Sequence, residues 1–219
     1  MRLALFDLDH TLIPFDSGMA WLRFLVEHDR LDAEVSTRYL DHCLRYVRSE
    51  VDLRTLQRVL LQPLAEVSRA DLRAWTAEFA ATVPASLEPA ARALVQGHLD
   101  AGDRCILVTA TTRFIAEAYA QAFGIGETLA SEALANSHGQ LTGALVGPPC
   151  AGVHKLAKLE SWLRLEGLTL ASFETSHFYS DSASDLPLLD TVSDPVAVRP
   201  DARLRRHALR AGWRIVDPA

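Results

Sequence analysis

The sequence predicts an α/β fold, a doubly wound parallel sheet carrying an inserted all-helical segment. Three observations predict it. Short apolar runs end abruptly on acidic or hydroxyl residues; helical patterns separate those runs; and residues 16–84 show helical spacing without a convincing strand. Strands alternating with helices of roughly 10 to 15 residues are the signature of parallel β-α-β units.

The elements follow in chain order. Leu3 to Phe6 is fully apolar and stops at Asp7 and Asp9, which suits a buried parallel strand opening into a site at its carboxyl end. Trp21, Phe24, Leu25 and His28 then recur at helical spacing, as do Tyr39, Cys43, Leu44 and Val47. Helical runs cover Leu53 to Leu61 and Ala70 to Ala81, with breaks expected at Asp29–Asp32, Glu50–Asp52, Gln62-Pro63 and Val83-Pro84. Residues 16–84 are therefore read as a four-helix cap inserted into a core formed by residues 1–15 and 85–219. Beside the carboxyl edge of a sheet, such an insert is placed to act as a lid.

After the cap come a helix over Ala90–Leu99, a strand at Ile106–Val108, and a helix over Arg113–Phe123 that stops at Gly124. Ser137 to Gly147 reads as a hairpin beside the core. A helix over Lys155–Leu165, strands at His177–Ser180 and Pro195–Val198, a helix over Pro200–Ala211 and a strand at Arg214–Val216 complete the chain.

Composition bounds the function classes. The chain has 219 residues, with 22 Lys plus Arg against 28 Asp plus Glu and a net charge of −6. That balance excludes a strongly basic nucleic-acid footprint. Cys43, Cys105 and Cys150 lack the spacing of a zinc site or redox pair and read as reduced packing residues. No run approaches the ~18 apolar residues of a membrane span. Asp7 and Asp9 also interrupt the N-terminal apolar run before it reaches secretory length, so a cytoplasmic protein is expected.

Chemistry concentrates at four places. Asp7 and Asp9 follow the first strand, two residues apart, where one crevice can receive both. Thr109 ends the second strand and offers a hydroxyl to an anionic oxygen, although a helix cap is an equally simple use for it. Lys155 opens a helix and carries a full charge for a phosphoryl oxygen, with Lys158 one turn later as its rival. Asp181-Ser182-Ala183-Ser184-Asp185 closes a third strand and adds carboxylates, which also suit caps of the next helix. Hard oxygen donors without a histidine or cysteine cluster favour Mg²⁺. Acids, a metal and a lysine around one crevice are what phosphoryl transfer requires, since the protein must position the group and neutralise its charge.

Taken in this order, the motifs resemble the haloacid-dehalogenase (HAD) superfamily of phosphohydrolases. Asp7-Leu8-Asp9-His10-Thr11-Leu12 resembles its first motif, Leu107-Val108-Thr109-Ala110 the second, Lys155 the third, and Tyr179 to Asp185 the fourth. The helical insert is similar to the C1-type cap of subfamily IB, which contains phosphoserine phosphatase. The resemblance implies that Asp7 is the nucleophile and becomes phosphorylated. It implies that Asp9 protonates the leaving group and then activates water, while Thr109 and Lys155 hold phosphoryl oxygens. It places Mg²⁺ on Asp7, the Asp9 carbonyl and Asp181, with Asp185 in support. Asp16, Thr109 and Ser182 are the expected substrate contacts. Asp16 stands where phosphoserine phosphatases carry a glutamate, one methylene longer, and His10 stands where a smaller residue is usual. The implied activity is hydrolysis of a small phosphorylated metabolite, with phosphoserine and histidinol phosphate as candidates. A receiver-like phospho-accepting module and an inactive binding protein are the alternatives. A receiver carries its phosphorylated aspartate on the third strand rather than the first, in a much shorter chain.

Overall fold

A computed structural model describes residues 1–217. In chain order it contains β1 (Arg2–Phe6), α1 (Ser17–Glu27), α2 (Ala33–Val47), α3 (Leu53–Leu61), α4 (Arg69–Ser86), α5 (Pro89–Asp100), β2 (Arg104–Thr112) and α6 (Arg113–Phe123). There follow β3 (Glu127–Ala135), β4 (Leu141–Val146), α7 (Val153–Leu165), β5 (Thr175–Ser180), α8 (Leu186–Leu189), β6 (Asp194–Val198), α9 (Ala202–Ala211) and β7 (Arg214–Val216). The strands form one seven-stranded sheet in the order β4-β3-β2-β1-β5-β6-β7. All neighbours pair parallel except β3 and β4. The doubly wound expectation therefore holds. No helix among the described residues is long and apolar enough to cross a membrane.

Strand alternation sorts the apolar residues onto two faces. Ala4, Phe6, Cys105, Leu107 and Tyr179 point to the face covered by α5, α6 and the inserted helices. Leu3, Leu5, Ile106, Val108 and Phe178 point to the other, packed under α7, α8 and α9. A sheet buried on both sides needs apolar residues at every position, which is why β1 and β2 read as unbroken apolar runs.

The insertion is bonded to the first of these faces. Trp21 of α1 is fully buried, 5.2 Å between ring centroids from Phe79 of α4 and 5.8 Å from Phe114 of α6. Each such buried ring contributes roughly 1.5–3 kcal/mol by area alone. α1, α3 and α4 thus share one core with the sheet, whereas α2 buries only Tyr39. α2 is thus the least anchored helix of the insertion.

Four sequence expectations are corrected. Leu44 and Val47 share the helical spacing of Tyr39 and Cys43, but they are 51% and 80% exposed, because α2 lies on the outside of the insertion. The break at Val83-Pro84 is absent: α4 runs through Pro84 to Ser86. Pro84 forgoes the bond its N–H would have made to the Ala80 carbonyl, yet the helix continues two residues beyond it. Glu127–Ala135, to which the sequence pattern assigns no element, is strand β3, paired with β2. The hairpin consequently begins upstream of Ser137, with its turn between Asn136 and Gln140. Finally, β2 runs on past Val108 to Thr112, and its register with β3 shifts between those residues. That bulge frees backbone beside the site, as bulges at sheet rims commonly do.

Candidate active site

The four sequence motifs meet at the carboxyl ends of β1, β2 and β5, on the floor of a cavity of about 800 Å³ that the inserted helices wall in. Asp7 leaves β1 in register, its N–H donating to the Tyr179 carbonyl at 3.0 Å. The chain then folds tightly over Leu8, whose carbonyl accepts from Thr11, Leu12 and Ile13. His10 takes a left-handed φ of 59° in this turn. Arg199 clamps the turn from outside by donating to the carbonyls of His10 and Thr11.

Lys155 is 2% exposed, its Nζ donating to Asp7 Oδ1 at 2.9 Å and to Asp185 Oδ2 at 2.6 Å. Burial alone would push this ammonium down; the charges of Asp185 and Asp7 outweigh it and hold the lysine above its usual range. Lys158, the rival, donates instead to the Ala130 carbonyl. Asp185 also accepts from Ser180 Oγ at 2.7 Å and makes no side-chain cap bond at α8, so its firm role is to anchor Lys155.

Asp9 is held by both oxygens. Oδ1 accepts from the Ser17 N–H at 2.7 Å, and Oδ2 accepts from Thr111 Oγ1 at 2.6 Å. Burial and the nearby charge of Asp16 push its carboxyl up to about 6. Asp7 is pushed up to about 6 by burial, against the pull of Lys155. For Asp181, burial and the charge of Asp7 push the carboxyl up to about 8.

Thr11 Oγ1 lies 3.4 Å from Asp7 Oδ2 and 3.2 Å from Asp181 Oδ1, and accepts from the Asp181 N–H. Thr109 is buried in the strand; its hydroxyl oxygen accepts from the Thr111 N–H at 3.1 Å, leaving the proton free to donate. The cap position of α6 belongs to Thr112. Asp16 caps α1 through the Met19 N–H at 2.6 Å and accepts from the Tyr39 hydroxyl at 3.2 Å, while still lining the cavity. Ser182 lines it too, sharing a hydrogen bond with Ser184. Arg45, Arg48 and Arg54 do not line it; Arg54 donates to the Gly147 carbonyl.

The donor set fits a hard divalent cation. Asp7 and Asp181 present adjacent carboxylates whose mutual repulsion Lys155 only partly offsets, and no nitrogen or sulfur ligand is among them. The sequence reading missed Thr11, Ser17 and Thr111 as supports, and Gln57 of α3, whose Nε2 ties the insertion to the Ala110 carbonyl. Thr11 and Thr111 stand inside or beside the quoted motifs; Gln57 left no signal.

The haloacid dehalogenase-like hydrolase family matches residues 4–190. The chain belongs to that family. A histidinol-phosphatase of Neisseria meningitidis is 37% identical over 218 residues, covering 99% of this chain and 98% of that one. A phosphoserine phosphatase of Mycobacterium tuberculosis is 40% identical over 126 residues, which cover 58% of this chain and 40% of that protein's length. Among solved structures, a protein of unknown function from Bordetella pertussis superposes with a TM-score of 0.90 at 41% identity, covering 99% of this chain and 98% of that one. A substrate-bound phosphoserine phosphatase shares the HAD fold at a TM-score of 0.66 and 15% identity, over 95% of this chain and 97% of that one.

Proposed function

We propose that this hydrolase is a Mg²⁺-dependent phosphomonoesterase that works through an aspartyl-phosphate on Asp7. The observation that carries this reading is the pairing of Asp7 Oδ1 with Lys155 Nζ at 2.9 Å, beside an Asp9 fixed by two donors. One carboxylate is thereby aimed and charge-balanced for attack, and a second is oriented and tuned for proton transfer.

In the first half-reaction, an Asp7 carboxylate oxygen forms a bond to phosphorus as the ester O–P bond breaks. The departing alkoxide takes a proton from Asp9. In the second, water attacks phosphorus, Asp9 takes its proton, and the Asp7–phosphorus bond breaks to release phosphate. Asp9 must be protonated in one step and ionised in the other, and a pKa near 6 suits both. Lys155 and the free proton of Thr109 hold phosphoryl oxygens throughout. Asp7, the Asp9 carbonyl and Asp181 would hold the cation, with Asp185 contributing through the oxygen that Lys155 does not occupy. The cation supplies charge neutralisation at the phosphoryl oxygens.

The wall of the cavity speaks to the leaving group. Tyr39, Leu53, Leu56, Leu60 and Val47 make it apolar, and Asp16 gives it one negative charge. Its basic residues are His10, Arg23 and Lys155; Lys155 is already engaged and Arg23 is 69% exposed and paired with Glu27. No buried cation awaits a substrate carboxylate. This favours an amine-bearing, apolar alcohol phosphate such as histidinol phosphate over phosphoserine, in keeping with the name of the Neisseria relative. The test is phosphate release from histidinol phosphate, phosphoserine and phosphoethanolamine, with and without EDTA. Metal-dependent turnover with the highest kcat/KM on histidinol phosphate is expected; turnover indifferent to EDTA would overturn the mechanism, and a preference for phosphoserine would overturn the substrate.

A further inference from the structure

A second cluster of titratable side chains lies on the α5 side of the sheet, away from the catalytic crevice. One donor atom from each of His98, Asp103 and His177 lies within 4.8 Å of the other two. These residues come from the end of α5, the turn into β2, and the middle of β5. The imidazoles of His98 and His177 have centroids 5.0 Å apart. We propose that this cluster is a second metal site, for a zinc-type cation, with His98, Asp103 and His177 as its ligands.

The outer contacts of these side chains support that assignment. His98 Nε2 lies 2.8 Å from the Tyr179 hydroxyl, which also accepts from Arg214 at 3.2 Å. This holds the ring with Nδ1 turned to Asp103 Oδ2, 2.7 Å away. The other Asp103 oxygen, Oδ1, accepts from Arg2 Nε at 2.7 Å, which leaves Oδ2 for the cluster. His177 Nδ1 is buried without a properly directed hydrogen bond, although Asp194 Oδ2 stands 2.6 Å from it. Ligating histidines and carboxylates are typically steered in this way by partners on their outer atoms. Two imidazoles and one carboxylate are the ligand types of a borderline cation and differ from the all-oxygen set at Asp7 and Asp181. The 2.7 Å contact between His98 and Asp103 must open to about 3.3 Å for both to bind one ion at ordinary tetrahedral distances. Water completes the fourth position. The ion would replace the proton shared between His98 and Asp103 and would tie α5, the start of β2 and β5 together.

Co²⁺ serves as the probe, added to the full chain in a large excess of Mg²⁺, which saturates the all-oxygen site. One equivalent should stay bound and show the intense visible absorption of a tetrahedral nitrogen-ligated ion. His98→Gln and His177→Gln should each weaken that binding at least about tenfold, while Asp181→Asn leaves it intact. X-ray absorption of the Zn²⁺-loaded wild-type chain under the same Mg²⁺ excess should show imidazole scattering, and it needs no variant to fold. Complete displacement of Co²⁺ by Mg²⁺, an absorption unchanged in both histidine variants, or a zinc shell without imidazole would each overturn the proposal.

Discussion

Strand β5 carries two charge clusters of opposite character. At its carboxyl end Asp7, Asp9, Asp181 and Asp185 face a single buried cation, Lys155. Toward its middle and amino end, Asp103 and Asp194 meet His98, His177 and Arg2. In the first group burial, added to by neighbouring acids, raises three of the carboxyls. In the second, burial pushes Asp103 up, but hydrogen bonds from His98 and Arg2 outweigh it and hold the carboxyl below its usual range. The contrast separates a crevice whose acids outnumber its cations from a cluster whose acids are each paired with a base in the metal-free chain. Unspent negative potential is what a cation and a phosphoryl group together can use.

The sharpest way to break the contrast is to remove the carboxylate proposed to attack phosphorus. Asp7→Asn should lower kcat by roughly a thousandfold or more, as losses of a nucleophile commonly do. Stopped-flow or end-point phosphate assays measure this, and near-normal turnover would refute the role of Asp7. Next in size is Lys155→Met, which strands Asp7 and Asp185 in the interior. Removing one partner of a buried pair costs about 3–5 kcal/mol, so urea denaturation should show a loss of that order together with weakened activity.

A pH series compares the two ends directly. Raised carboxyls at the active site stabilise the folded chain below their unfolded value near 3.8, and that contribution is lost as pH rises through about 6 for Asp7 and Asp9 and about 8 for Asp181. Metal-free protein should therefore melt several degrees lower at pH 8.5 than at pH 6, and millimolar Mg²⁺ should restore most of the difference. Asp103 has the opposite sign: its contribution is present above about 3.8 and is lost as pH falls through its lowered value. In Asp103→Asn the acid side of the melting curve should flatten while the alkaline side is unchanged. Calorimetry with EDTA and with Mg²⁺ separates the two limbs; a single slope common to both variants would remove the distinction.

The smallest expected effect lies in the wall of the cavity. Asp16→Asn keeps the cap of α1, because asparagine caps as well as aspartate, but removes the charge offered to an amine. KM for an amine-bearing substrate should rise about tenfold, the equivalent of ~1.4 kcal/mol, while KM for p-nitrophenyl phosphate stays the same. Equal changes on both substrates would mean that Asp16 acts through structure alone.

Much of this was legible before any coordinates. Asp7, Asp9, Thr109, Lys155 and Asp181 stand where apolar runs stop on reactive residues or where a helix begins, and the fold brings all of them to one cavity. The residues that aim them were harder to see. Ser17 acts through its backbone N–H and Thr111 through a chain of hydroxyls, and neither action has a residue-type signature. β3 escaped because its alanines and glutamates favour helix, and only the neighbouring strand decides otherwise. Leu44 and Val47 are the reverse case: their spacing is helical, but a helix can turn an apolar stripe outward as readily as into a core.

The aromatic seam formed by Trp21, Phe79 and Phe114 has a consequence for how this enzyme can diversify. Because it welds most of the insertion to the catalytic half, an ancestor could not exchange the whole insertion without unravelling its interior. α2, with Tyr39 as its sole buried anchor, is the free variable. Drift along that one helix can retune which alcohol is accepted while the phosphorus chemistry, and the scaffold beneath it, stay as they were.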